Sequence, residues 1–148
     1  MRQPRESTLP SDRGSTMLLA PIALLIVMML GAVTLEVAAM HLHQRQLHDL
    51  ATSIANDAAT VGFDVDQYRT DQTIAIDPSA AQSVIEPSIA ISNIPEARAE
   101  GFSVVPGAEP LVEIDLAVTH EFVLGQLIWG SSTELTASGE AALVPSQP

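Results

Sequence analysis

Hydrophobic positions along this chain fall into three regimes, and each predicts a different element. From Met17 to Leu35 (MLLAPIALLIVMMLGAVTL) no residue is charged. As a helix rising about 1.5 Å per residue, this run matches the roughly 30 Å hydrocarbon core of a bilayer and predicts a transmembrane segment. From Leu47 onward the apolar positions thin to a stripe. Leu47, Leu50, Ile54, Ala58 and Val61 recur at spacings of three and four, with Gln46, Asp49, Thr52, Ser53, Asn56 and Asp57 on the other faces. That pattern predicts an amphipathic helix. No proline or glycine interrupts Ala32 to Val61, so both regimes read as one helix from about Thr16 to Val61, with Gly62 as a left-handed cap. Such a helix is about 70 Å long.

Beyond Gly62 the third regime begins. Phe63 to Thr73 (FDVDQYRTDQT) is polar and acidic and reads as a surface connection. Asp77-Pro78 is a helix start signal, with Asp77 as N-cap and Pro78 at the first helical position. It leads a short helical segment from Ser79 to Ile85 that Pro87 is expected to end, with its alanines, Val84 and Ile85 packed on the long helix. From Gly101 the period becomes two. Phe102 to Val105 predicts a short strand, and Pro106-Gly107 with Glu109-Pro110 the turn after it. Val112, Ile114, Leu116 and Val118 alternate with Glu113, Asp115, Ala117 and Thr119, as in a strand with one buried face. Phe122 to Gly130 reads as an apolar loop or hairpin arm, and Thr133 to Leu143 as the last strand. Two or three antiparallel strands cannot bury their apolar face alone, and the Leu47 to Val61 stripe supplies the missing surface. The expected fold class is therefore α+β: a long N-terminal helix, transmembrane in its inner half and amphipathic in its outer half, packed on a small antiparallel sheet.

Charge orients this arrangement. Arg2, Arg5 and Arg13 precede the apolar run, and only Arg45, Arg69 and Arg98 follow it, which predicts a cytoplasmic N-terminus and an extracytoplasmic C-terminal domain. Four segments follow: a cytoplasmic N-terminus over 1–15, a transmembrane helix over 16–40, its amphipathic continuation over 41–62, and a small extracytoplasmic α+β domain over 63–148. Of the 18 acidic residues only Glu6, Asp12 and Glu36 lie at or before the end of the apolar run, so nearly all of the net charge of -12 belongs to the outer part. Such a surface repels nucleic acid and anionic headgroups. The chain has no lysine and no cysteine, which excludes a disulfide scaffold, a thiolate metal site and a cysteine nucleophile. A cleaved signal sequence is the competing reading of the N-terminus, with Val37-Ala38-Ala39 as its cleavage site. The length of the run favours a retained anchor.

Residues that carry chemistry elsewhere do not converge here. His41, His43 and His48 cluster in sequence, but helical neighbours lie three or four apart, so His41 and His43 splay and Arg45 sits close by. Interfacial histidines are the simpler reading, and no metal site is expected. His120 beside Glu121 has no serine in a nucleophile-elbow sequence to serve. Asp64/Asp66 and Asp71/Asp77 lack the glycine turn and bidentate glutamate of a calcium loop. Glu36 closes the apolar run, either as an interfacial acid marking the helix exit or as an acid meeting a partner helix, with Gly31 and Ala32 allowing close approach. No catalytic residue, cofactor or small-molecule substrate is expected, and the protein is read as a non-enzyme.

Three patches resemble the TadE/TadG-like group of Tad/Flp pilus-assembly proteins, relatives of pilins and pseudopilins. The first is Asp12-Arg13-Gly14-Ser15 before the apolar run. The second is Leu35-Glu36-Val37, followed by His43-Gln44-Arg45-Gln46-Leu47-His48 and the small-residue stretch Ala51 to Ala59. The third is Ile76-Asp77-Pro78-Ser79-Ala80-Ala81, ahead of an alternating C-terminal sheet. Leu19 stands five residues after Gly14, where pseudopilins cut by a prepilin peptidase usually carry glutamate, and so speaks against processing at Gly14. The resemblance implies a minor pilin-like (pseudopilin-like) subunit of a Tad/Flp type pilus or related secretion system at the cell surface. Its partners would be membrane lipid and other pilin-like subunits or pilus-assembly membrane proteins, met through the helix. The alternative is a small membrane-tethered or secreted binding module unrelated to pili.

Overall fold

The computed structural model describes residues 13–94, 96–123, 126 and 130–144. One helix, α1 (Arg13–Gly62), runs through both the apolar and the amphipathic regimes. It passes through Pro21, whose missing N–H removes one helical bond within an apolar stretch, a loss that helices of this composition tolerate. Every side chain from Leu19 to Leu30 is exposed. Among the described residues this is the single helix long and apolar enough to cross a membrane.

The outer half of α1 lies on a three-stranded antiparallel meander in the order β1 (Arg98–Val105), β2 (Leu111–Glu121), β3 (Ser132–Ala142). The fold is thus α+β, a long N-terminal helix packed on a small antiparallel sheet. Val112, Ile114, Leu116 and Val118 of β2 are all buried, as their alternation predicts. The largest fully buried side chains are Leu47 and Ile54 of α1 with Val112, Ile114 and Leu116 of β2. Each contributes about 1.5–3 kcal/mol over an exposed position, and helix and sheet supply them jointly.

The helix stripe differs from its sequence reading in a way that explains the packing. Val61 is 52% exposed and Leu50 only half-buried, whereas Ala51, Ala55, Ala58 and Ala59 join Leu47 and Ile54 in the core. Small residues on this face let the helix backbone come down onto the sheet. Gly139 in β3 marks the closest approach: a Cβ there would fall on the carbonyl group of Ala51. Gly62 has a similar role. It is the last residue of α1 and does not adopt the left-handed conformation expected of it. A Cβ there would lie 2.7 Å from Ile76 Cγ2 and 2.9 Å from Ala81 Cβ.

Short helices fill the edge of this layer. The stretch expected to be a surface connection contains a helix, α2 (Val65–Asp71), with no buried residue, N-capped by Asp64, which accepts from the Gln67 N–H at 2.9 Å, and closed by Gln72 at φ 57°. An antiparallel bridge between Phe63 and Ile76 ties the two ends of this excursion together. Asp77 caps α3 (Pro78–Gln82) as expected, accepting from the Ser79 N–H at 2.9 Å and its hydroxyl at 2.7 Å. The Ser79 hydroxyl first, then its N–H, hold the Asp77 carboxyl below the usual aspartate range. The helical segment does not end at Pro87. After a turn a further helix, α4 (Ile85–Ala90), has Pro87 in its first turn, where the N–H groups lack intrahelical partners anyway. Ala81, Ile85 and Ile89 are buried from this side.

Gly139→Val should force α1 off the sheet, at a cost of about 3 kcal/mol or more, since backbone rather than a flexible side chain stands in the way. Gly107→Ala, whose added Cβ would come no closer than 3.8 Å to a neighbour, is the control. Thermal unfolding of the detergent-solubilised protein should show a large fall in midpoint for the first and almost none for the second.

Candidate functional site

Where the exposed apolar run ends, the chain changes environment within one residue. Leu35 is 69% exposed and Glu36 is 6% exposed. Glu36 is buried because the far end of β2 reaches down to it, and its Oε1 accepts the Val123 N–H at 2.8 Å. Two turns further along α1, His43 meets His120 of β2. Their Nδ1 atoms are 3.0 Å apart and the rings stand at 77°. Phe122 packs edge-on against the other side of His120, with centroids 5.5 Å apart. His48 donates through Nδ1 to the Ser138 carbonyl of β3 at 2.9 Å.

Among the described residues the buried Nε2 of His120 has no hydrogen-bond partner. A buried lone pair is tolerated better than a buried orphan N–H, which places the proton of His120 on Nδ1. His120 therefore donates to His43, whose own proton sits on the outward Nε2. Glu36 and His43, seven residues apart, thus share one side of α1 and meet the end of β2, while His48, about 140° round the helix, reaches β3 instead. The polar groups that sequence reasoning weighed for metal or acid chemistry clasp the sheet to the helix instead.

An open groove of about 750 Å³ lies beside the clasp, between α1 at Glu36 and Ala39, the turn at Asn93 and Ile94, and Val123. The other singled-out residues lie apart. His41 is exposed, Asp66 faces Arg69 at 3.9 Å in open solvent, and Asp64 and Asp77 are caps. Among the described residues no three His, Asp or Glu converge on a position that could hold a metal ion. The expected apolar loop over Phe122 to Gly130 lies partly outside the described residues. Its base is described: the Phe122 N–H donates to the Ser131 carbonyl at 3.0 Å.

The pairing of His43 with His120 was not legible in sequence, because the two are 77 positions apart and neither forms a motif. The one available signal was phase: His120 continues the Val112 to Val118 alternation onto the face turned to the helix. Comparison with protein-family models, curated proteins and solved structures finds no match to this chain.

Replacing Glu36 by Ala should leave the Val123 N–H without this acceptor and loosen the end of β2 by about 1 kcal/mol, the usual net worth of one hydrogen bond. Glu36→Gln keeps an acceptor oxygen and should lose less than half as much. Amide exchange at Val123 reads the difference, and equal rates in the two variants would show that the bond does not hold the strand end.

Proposed function

We propose that this protein is a structural subunit, minor pilin-like, of a Tad/Flp type pilus or a related secretion machine. In this reading it is anchored by α1, with the N-terminus cytoplasmic and the sheet domain outside. The observation that carries the proposal is the division of α1 into two halves. From Leu19 to Leu30 it presents apolar side chains all round and every one is exposed among the described residues, while from Leu47 to Ala59 it is half of a folded core. A helix built this way offers its inner half to lipid or to other helices, and packing between such helices is what lateral assembly in a membrane uses.

The residues on which the resemblance rests support the reading further, because each has a defined structural task. Glu36 holds the end of β2, the Ala51 to Ala59 stretch forms the helix face of the core, and Asp77-Pro78 starts α3 with Ala81 packed beneath. Glu36 serves its own chain, so contacts between subunits fall to the apolar side chains of the inner helix. Orientation follows the arginine bias, with Arg2, Arg5 and Arg13 ahead of the run.

Deletion of the gene should shorten or abolish a surface fibre, or block its export. Mild cross-linking of the intact membrane should capture this protein with other pilin-like subunits. Normal fibres together with a protein that purifies alone after cross-linking would contradict the proposal and favour the tethered binding module.

A further inference from the structure

We infer that the end of β2 and the base of the β2–β3 connection rest on the phospholipid interface, so that the outer domain touches the membrane at a second point besides its helix. The inference rests on the reading of α1 as a membrane anchor, and it adds a surface and a partner to that reading. The uncharged run ends at Leu35, and from Met17 it spans about 28 Å as a helix, close to the thickness of the hydrocarbon core. The next residue, Glu36, holds the Val123 N–H at 2.8 Å. Val123 is thereby pinned within one residue of the level at which hydrocarbon gives way to headgroups.

What is found at that level suits it. The Val123 side chain is 78% exposed and apolar, so at that level it meets acyl chains and headgroups without a polar group to desolvate. The bond from the Phe122 N–H to the Ser131 carbonyl closes the sheet beside it. Recognition of anionic headgroups is not what the surface offers. Glu36 and Glu121 flank Val123, and the first arginine beyond the run, Arg45, lies about 13 Å further along α1. The partner is therefore the apolar and dipolar interface of zwitterionic phospholipid. Contact at both α1 and Val123 would fix the height and tilt of the domain, which a single flexible stalk does not.

The chain has no cysteine, so single substitutions label it uniquely. Val123→Cys, Leu25→Cys in the apolar run, and Glu109→Cys in the turn at the opposite end of the sheet would each carry a nitroxide. The labelled full-length protein in phosphatidylcholine nanodiscs is then probed by power saturation with oxygen, which concentrates in lipid, and with a water-soluble nickel chelate. Leu25 should report lipid and Glu109 water, with Val123 between them, losing nickel collisions and gaining oxygen collisions relative to Glu109. If Leu25 reports lipid while Val123 behaves as Glu109 does, the interface contact is wrong and the anchor stands. Protection of Val123 from both probes would mean that protein, a second copy included, covers it, and this too overturns the inference. A water signal at Leu25 removes the anchor and the contact together.

Discussion

Everything outside the apolar run depends on how closely the backbone of α1 approaches β3. The contact at Ala51 and Gly139 leaves no room for a single methyl group. That closeness brings Leu47 and Ile54 down against Val112, Ile114 and Leu116, all fully buried, and close packing is what a core this small needs. Neither component is sufficient alone. A three-stranded sheet with one apolar face has nothing to bury it against, and an amphipathic helix of this length is marginal in water. Alanine at 51, 55, 58 and 59 makes the approach possible, and the short helices α3 and α4 close the side of the layer with Ala81, Ile85 and Ile89.

The same approach explains the polar clasp. Once β2 runs along α1, its far end arrives at the level of Glu36, and polar groups of helix and strand pair there. Glu36 accepts from the Val123 amide, and His43 accepts a hydrogen bond from His120. The folded domain therefore begins at the residue where the apolar run stops. A flexible segment between anchor and domain would decouple them. Here α1 is continuous from Arg13 to Gly62, and forces on the domain pass directly into the helix.

Much of this architecture was legible in sequence because it rests on periodicity. The alternation from Val112 to Val118, the three-and-four spacing after Leu47, and the Asp77-Pro78 start signal all correspond to elements found. What escaped was set by tertiary contact. Val61 has the right spacing for the stripe but points away, because alanines, which hydropathy weighs lightly, occupy the buried face. The common rule for helix ends predicts a left-handed cap at Gly62, whereas its lack of a side chain serves Ile76 and Ala81. Pro87 reads as a helix stop yet sits in a first turn, and Asp64 gives no cap signal because no apolar helical stripe follows it. Of the clasp, Glu36 stood out as a lone acid closing an apolar run. Its partner, a backbone N–H from a strand end 87 residues away, leaves no trace in composition.

The central claim is that the outer half of α1 and the sheet form one cooperative unit. Native-state hydrogen exchange on the full-length protein in nanodiscs, with denaturant increased in steps, tests it most directly. The account predicts that the amides of Ala51 to Ala59 in α1 and of Val112 to Val118 in β2 converge on a single opening free energy and lose protection together. Persistence of helix protection after the strand amides have exchanged would contradict it, since α1 would then stand without the sheet that is proposed to complete its core.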